Sequence, residues 1–346
     1  MTRQQDLLDV QWKGNLSDYI TAIAWHPDGH SLAISSAAGE VALLSIPTQT
    51  IQFLQPETGH SVDCLAISAD GQRLAAGGQD GTVRIWHMHT ATPELITTLP
   101  HRAVWVDRLQ WNPTNDHLAF GLGRYAQVWD AAVDQVVTTL NFASSSVLGL
   151  DWHPTGEWLA LCGHRGARVW RATDWDEDPQ VLDMPSASVA IAWSPDGQYL
   201  ADGNLDSTLT VVEWARPEAP WVMQGFPGKV RQLVWSSRTT STGAPLLAVC
   251  SAEAIVVWAR DADESVGWSN QLLEAHEDTV QAIAFQPRSL LLASAGADGW
   301  VCLWHTAQHL AQVLEGADDG FSCLSWHPDG TALAAGGTAG EWLIWG

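Results

Sequence analysis

Six times along this chain an aromatic or apolar residue is followed by a polar turn and then Leu-Ala, and two looser copies complete the series. The clear copies are WHPDGHSLA from Trp25, ISADGQRLA from Ile67, WNPTNDHLA from Trp111, WHPTGEWLA from Trp152, WSPDGQYLA from Trp193 and WHPDGTALA from Trp326; the looser ones start at Trp235 and Phe285. The eight anchors stand 42, 44, 41, 41, 42, 50 and 41 residues apart. A period in the low forties built from strand-like segments means a ring of similar four-stranded sheets, in which each repeat buries its apolar face only against its neighbours. The repeat runs the length of the sequence, so residues 1–346 are expected to form one closed domain.

The second repeat shows the plan most clearly. Residues 62–68 (VDCLAIS) read as an inner strand and 72–78 (QRLAAGG) as a second. After the tight-turn signal Gln79-Asp80-Gly81, residues 82–86 (TVRIW) read as a third strand and 94–99 (ELITTL) as an outer one. The residue two before each anchor is always branched aliphatic (Ile23, Leu65, Leu109, Leu150, Ile191, Leu233, Ile283, Leu324), and strand alternation places this set between adjacent sheets. Third strands end in Trp86, Trp129, Trp170, Trp258, Trp304 and Trp345, so most of the 21 tryptophans are expected to be apolar wedges between sheets.

The sequence stops at EWLIWG, a third strand with no fourth after it, while residues 7–12 (LLDVQW) have the pattern of a fourth strand with no sheet before it. Pairing the two closes the ring and removes both exposed sheet edges. The expected fold is all-β: an eight-bladed propeller of four-stranded antiparallel blades, closed by the N-terminal strand on the C-terminal blade, with seven blades as the alternative.

Composition limits the partners. The net charge is -23 and there are only two lysines, Lys13 and Lys229. Such a chain is poorly suited to neutralising phosphates, so nucleic acid is not an expected partner, and an anionic membrane surface would repel it. No apolar run approaches the roughly 18 residues of a membrane span, so no membrane insertion is expected, and the first ten residues lack the layout of a signal peptide. Five cysteines without a C-x-x-C pair read as small buried residues of a reduced, cytoplasmic protein. The acidic excess favours partners with a basic segment.

Blade seven links these residues to a known family. Ala275-His276 precede its inner strand and LLASAGADGWVCLW (291–304) follows it, with Asp298 in the tight turn. This resembles the WD-repeat (WD40) β-propellers. In that family a His, a strand Ser or Thr, the turn Asp and a Trp form a buried hydrogen-bonded set, which the resemblance carries onto His276, Ser294, Asp298 and Trp304. Among the tryptophans that end third strands, the literal Trp-Asp pair occurs once, at Trp129-Asp130, and no other blade has all four members. Blades two and seven are therefore expected to be regular and blades one, five and six less so.

A search for chemistry finds little. Gly228-Lys229 is followed by Val230 rather than the Ser or Thr of a phosphate-binding loop, and there is no G-x-S-x-G elbow or H-E-x-x-H motif. His87 and His89 could share a face, and His305 and His309 occupy the corresponding region of blade seven, but two ligands are too few for a closed zinc site. The histidines of the WHP turns (His26, His153, His327) read as turn polarity. No catalytic residue, metal ligand or cofactor is assigned. The leading expectation is a non-enzymatic scaffold for a protein or peptide partner. The alternatives are an accessory role in metal or cofactor handling, then an enzyme with a site at the channel mouth.

Two faces of the ring compete for that partner. The family resemblance implies that partner peptides engage top-face residues six and four positions before each anchor. Among these, Tyr19, Asp63, Trp105, Asp107, Lys229 and Arg231 stand out, with Ser188 or Phe321 entering if the register slips by one. Trp105 has the character of a binding hot spot. Trp300, Phe321 and Tyr19 are expected to form an aromatic arc over blades seven, eight and one. On the bottom face, the acidic insertions 171–180 and 259–271 each carry a tryptophan, Trp175 and Trp268, suited to gripping a basic apolar segment.

Overall fold

The computed structural model describes residues 7–88, 92–101, 104–142, 145–184 and 186–346. Eight four-stranded antiparallel sheets follow one another, seven with their strands hydrogen-bonded in chain order and the eighth completed by the N-terminal strand. Blade one is Ile20–Trp25, Ser31–Ser36, Val41–Ser45 and Thr50–Gln55, and the next six repeat it. The innermost strand of every blade packs on that of the next, and Phe321–Trp326 of blade eight packs on Ile20–Trp25 of blade one, so the ring is closed.

Closure uses the N-terminal strand, three residues further on than the sequence pattern indicates. Val10–Asn15 pairs antiparallel with Glu341–Trp345, Lys13 opposite Leu343 and Asn15 opposite Glu341. The shift follows from packing: Trp12 meets Trp342 edge-on at 4.9 Å, and Gly14 lies so close to the same indole that a Cβ there would overlap it. Leu8, released from the strand, is buried against Leu314, Leu343 and Trp345. Gln312 of blade seven fastens it, accepting the Leu7 and Leu8 N–H groups at 2.7 and 3.1 Å and donating to the Leu8 carbonyl at 2.7 Å.

Two series of polar contacts join the blades, and neither is evident in the sequence as a contact. Five anchor tryptophans (Trp25, Trp111, Trp152, Trp235, Trp326) donate Nε1–H to a carbonyl of the preceding blade at 3.0–3.2 Å. The residue after the anchor reaches forward to the turn glycine of the next blade. His26, His153 and His327 do so through Nε2 to the carbonyls of Gly71, Gly197 and Gly29 at 2.8, 3.2 and 3.1 Å. Asn112 and Gln286 do the same to Gly156 and Gly330. The WHP histidines are thus inter-blade ties rather than turn decoration. Where the residue is the shorter Ser68 or Ser194, no such tie forms and a surface cavity opens beside the turn instead.

The hydrogen-bonded set in blade seven is present. Nδ1 of His276 lies 2.9 Å from Asp298, which leaves Nε2 to accept from the Ser294 hydroxyl at 2.8 Å, and that hydroxyl accepts from Trp304 Nε1–H at 2.9 Å. All four residues are interior, so each polar group depends on the next. Ser294→Ala is expected to cost about 2 kcal/mol in denaturant unfolding, because it strands two buried polar groups. An unchanged midpoint would contradict that role. Blade one replaces the set: buried Glu40 accepts from the hydroxyls of Ser17 and Ser36 and from the Ser17 N–H at 2.8–2.9 Å.

Candidate interaction surface

The inner strands run from the face that carries the fourth-to-first strand loops, the top, toward the face that carries the WHP turns. Trp105, in the loop entering blade three, is 63% exposed, the only tryptophan among the exposed large apolar side chains of the described residues. The family's regular Trp positions are buried wedges, so this indole is the exception that packing does not explain. Lys229 and Arg231 are both exposed at the entry to blade six, and neither forms an ion pair among the described residues.

Asp63 and Asp107 are neighbours on blades two and three. Burial raises the Asp63 carboxyl above the usual range and the Asp107 charge adds to this, although Ser61 donates to it at 2.5 Å. Arg108 lies beside them, its Nη1 donating to the Asp107 carbonyl at 2.7 Å. Tyr19 keeps an exposed edge, and its hydroxyl approaches Ser322; burial raises its pKa.

Several expected surface residues are inside. Phe321 is fully buried and packs on Trp345, because it opens the inner strand at the position held by Ile20, Val62 and Val280 elsewhere. Ser188 holds the same position in blade five and is also buried. Trp300 is half-buried against the core between blades six and seven. The aromatic arc therefore reduces to Tyr19. On the bottom, Trp268 is not a loop residue: it begins the strand Trp268–Leu273 and sits in a cluster with Tyr199, Trp221 and Trp235. Trp175 folds back on Trp152 with its ring at 6.1 Å and is half-buried. Neither is displayed for a partner. His89 lies outside the described residues.

Sequence reasoning passed over an acidic arc. Glu253, Glu274, Glu277, Asp278, Asp318, Asp319, Asp18 and Glu57 are all exposed on top-face loops and turns running from blade six through seven and eight to the entry of blade two. Those loops contain no Lys or Arg. The signal was available in loop composition, but only the ring order brings these short segments side by side. The five cysteines are free, and burial pushes their thiol pKa values up, Cys302 to about 12 and Cys250 and Cys323 to about 11. Among the described residues no three His, Cys, Asp or Glu side chains gather as metal ligands.

The model of the WD40 family, described as WD domain, G-beta repeat, matches residues 8–43, 49–87, 134–171, 179–212, 267–305 and 308–345. The chain belongs to the WD40 family. The matches pass over the first three strands of the third and sixth blades, so blade three, rather than blades one and five, joins blade six as the divergent pair. In blade three the inner strand has shrunk to Leu109–Trp111, and in blade six it has lengthened to Gln232–Thr239.

Curated relatives share short stretches. Human echinoderm microtubule-associated protein-like 4 is 31% identical over 72 residues, 21% of this chain and 7% of that protein. The human intraflagellar transport protein 122 homolog is 35% identical over 112 residues, 32% of this chain and 8% of that protein. In the solved structure of Sqt1 from Chaetomium thermophilum the fold is shared throughout: TM-score 0.82 at 18% identity, covering 97% of this chain and 99% of that one. Sqt1 bound to the N-terminus of the ribosomal protein L10 matches with the same TM-score at 19% identity, over 95% and 96% of the two chains.

Proposed function

We propose that this chain is a cytoplasmic, non-enzymatic interaction scaffold that holds a basic, partly apolar segment of a protein partner across its top face. The observation that carries this is the arc of eight exposed carboxylates free of Lys and Arg, with Tyr19 inside it beside Asp18 and exposed Trp105 on the next loop beyond its end at Glu57. A rigid ring presents such loops without having to order them on binding, which keeps the entropic cost of capture low. The bottom-face alternative loses its motive, since both of its tryptophans are spent on packing. Metal handling loses much of its own, since four of the thirteen histidines serve inter-blade ties or the blade-seven set. A structure of the same fold bound to a protein N-terminus supports reading the ring as a receptor for peptide segments.

Trp105→Ala is expected to weaken partner binding by roughly tenfold or more, the loss typical of a hot-spot aromatic. Glu277→Lys with Asp319→Lys should slow association and remove most of its salt dependence. Surface plasmon resonance against the captured partner reads both effects. Melting temperatures equal to that of the parent separate a lost contact from a damaged fold. Binding unaffected by either variant would overturn the reading.

A further inference from the structure

The channel through the ring is not uniform. On the side formed by blades three to six it widens into a cavity of about 370 Å³. Arg108, Arg231 and Gln232 supply its polar lining, and Leu150, Val189 and Ile191 are among its apolar walls. No carboxylate lines it, although the chain has 39 acidic and only 16 basic residues. Gly149 lies in its wall where blades four and five meet closely: a Cβ there would come within 2.9 Å of Cys162 Sγ and 3.4 Å of Ile191 Cγ2.

The polar lining offers donors. The Gln232 side-chain carbonyl accepts the Ile283 N–H at 2.8 Å, so the end left over is its NH₂ group. The Arg231 backbone is fixed by its N–H bond to the Cys250 carbonyl at 3.1 Å, while its guanidinium has no ion-pair partner among the described residues. Arg108 gives one N–H to the Asp107 carbonyl and stands 3.8 Å from that carboxylate, which leaves most of its fork of five donors uncommitted. Two guanidinium groups and an amide over apolar walls match a planar, bidentate oxyanion carried on an apolar stem. The volume lies in the range of small-ligand sites.

We propose that this cavity is a binding site for a carboxylate, held between Arg108 and Arg231 with its aliphatic stem against Leu150, Val189 and Ile191. The carboxylate could be supplied free in solution or by the end of a bound peptide. The site does not depend on the acidic arc, and either could exist without the other.

Calorimetry at low salt distinguishes the sources with three probes: isovalerate, a glycine-rich hexapeptide ending in leucine with a free carboxylate, and the same peptide as its C-terminal amide. Saturable one-to-one binding of at least one acid probe is expected, with the amide inactive. Arg108→Gln and Arg231→Gln should each weaken it by about tenfold or more, as for loss of a charged hydrogen bond. Arg238→Gln, an exposed arginine on the bottom face that changes net charge equally, should leave it intact. Isovalerate binding as tightly as the peptide assigns the site to free carboxylates; binding of the peptide alone assigns it to chain termini. Failure of both acid probes to saturate, equal binding of the amide, or binding that survives both channel variants overturns the site. Both arginines are substantially exposed, so unchanged melting temperatures are expected and check that the variants fold.

Discussion

Deletion of residues 1–15 should destabilise the ring by more than about 4 kcal/mol, a loss that single substitutions seldom reach. The deletion strips the partner strand from Glu341–Trp345, uncovers Trp342 where Trp12 and Gly14 now cover it, and removes Leu8 from the core between blades seven and eight. It also leaves Gln312 without the three bonds it makes to Leu7 and Leu8. The new edge is apolar and unpaired, which invites association between chains. Thermal scans should show a midpoint lower by at least roughly 5 °C for a domain of this size and a concentration-dependent loss of soluble protein. Adding a peptide of residues 7–16 should restore part of the lost stability, since it can refill the same edge. A deletion variant that melts with the parent and stays monomeric would mean that the ring is held by its other blade contacts.

Asp202→Asn should stabilise the protein at pH 8 and do little at pH 4. Asp202 pairs opposite Ile191 in blade five, the place Ser294 takes opposite Ile283 in blade seven. Its surroundings differ. Val212 stands where blade seven has Trp304, so the acid meets no indole N–H. Only the Ser188 hydroxyl reaches it, at 2.7 Å, and its other oxygen has no hydrogen-bond partner. Burial pushes the carboxyl up to about 7, against 3.8 for a free Asp. Between pH about 4 and about 7 the folded chain therefore keeps a proton that the unfolded chain releases, and stability falls as pH rises through that window.

A shift of this size corresponds to at most about 4 kcal/mol lost above pH 7, which the neutral amide avoids. Asp151, raised to about 6 between blades four and five, should leave a smaller slope of the same sign in the variant. It is better partnered, accepting from Gln110 and from the Trp193 N–H at 2.7 and 2.6 Å. Urea unfolding of parent and variant from pH 4 to pH 8 checks both statements. Parallel pH profiles would show that Asp202 is ionised at little cost.

The architecture was legible because the anchors, Leu-Ala pairs and third-strand tryptophans each report alternation or spacing, the properties that backbone geometry fixes. Blade number and the pairing of the two termini follow from the same arithmetic. The register of the closing strand did not, because Trp12 and Gly14 are placed by the shape of Trp342 rather than by apolar alternation. The site was less legible. Phe321 and Trp268 look like loop aromatics in the sequence, and only the strand starts show that they face inward. Trp105 stands out in the sequence and is exposed, whereas the acidic arc exists only once five short loops and turns are set side by side in the ring. Asp202 gave no sign either, since its cost depends on Val212 and Ser188 in place of better partners.

Capture of a partner from the soluble extract of the source cell tests the central claim most directly. Three baits suffice: the parent chain, a top-face variant carrying Trp105→Ala, Glu277→Lys and Asp319→Lys, and a bottom-face variant carrying Glu177→Lys and Asp178→Lys, all of them exposed positions. A protein retained in proportion by the parent and the bottom-face variant, and lost with the top-face variant, is the expected result. Retention by all three baits, or loss confined to the bottom-face variant, would contradict the account.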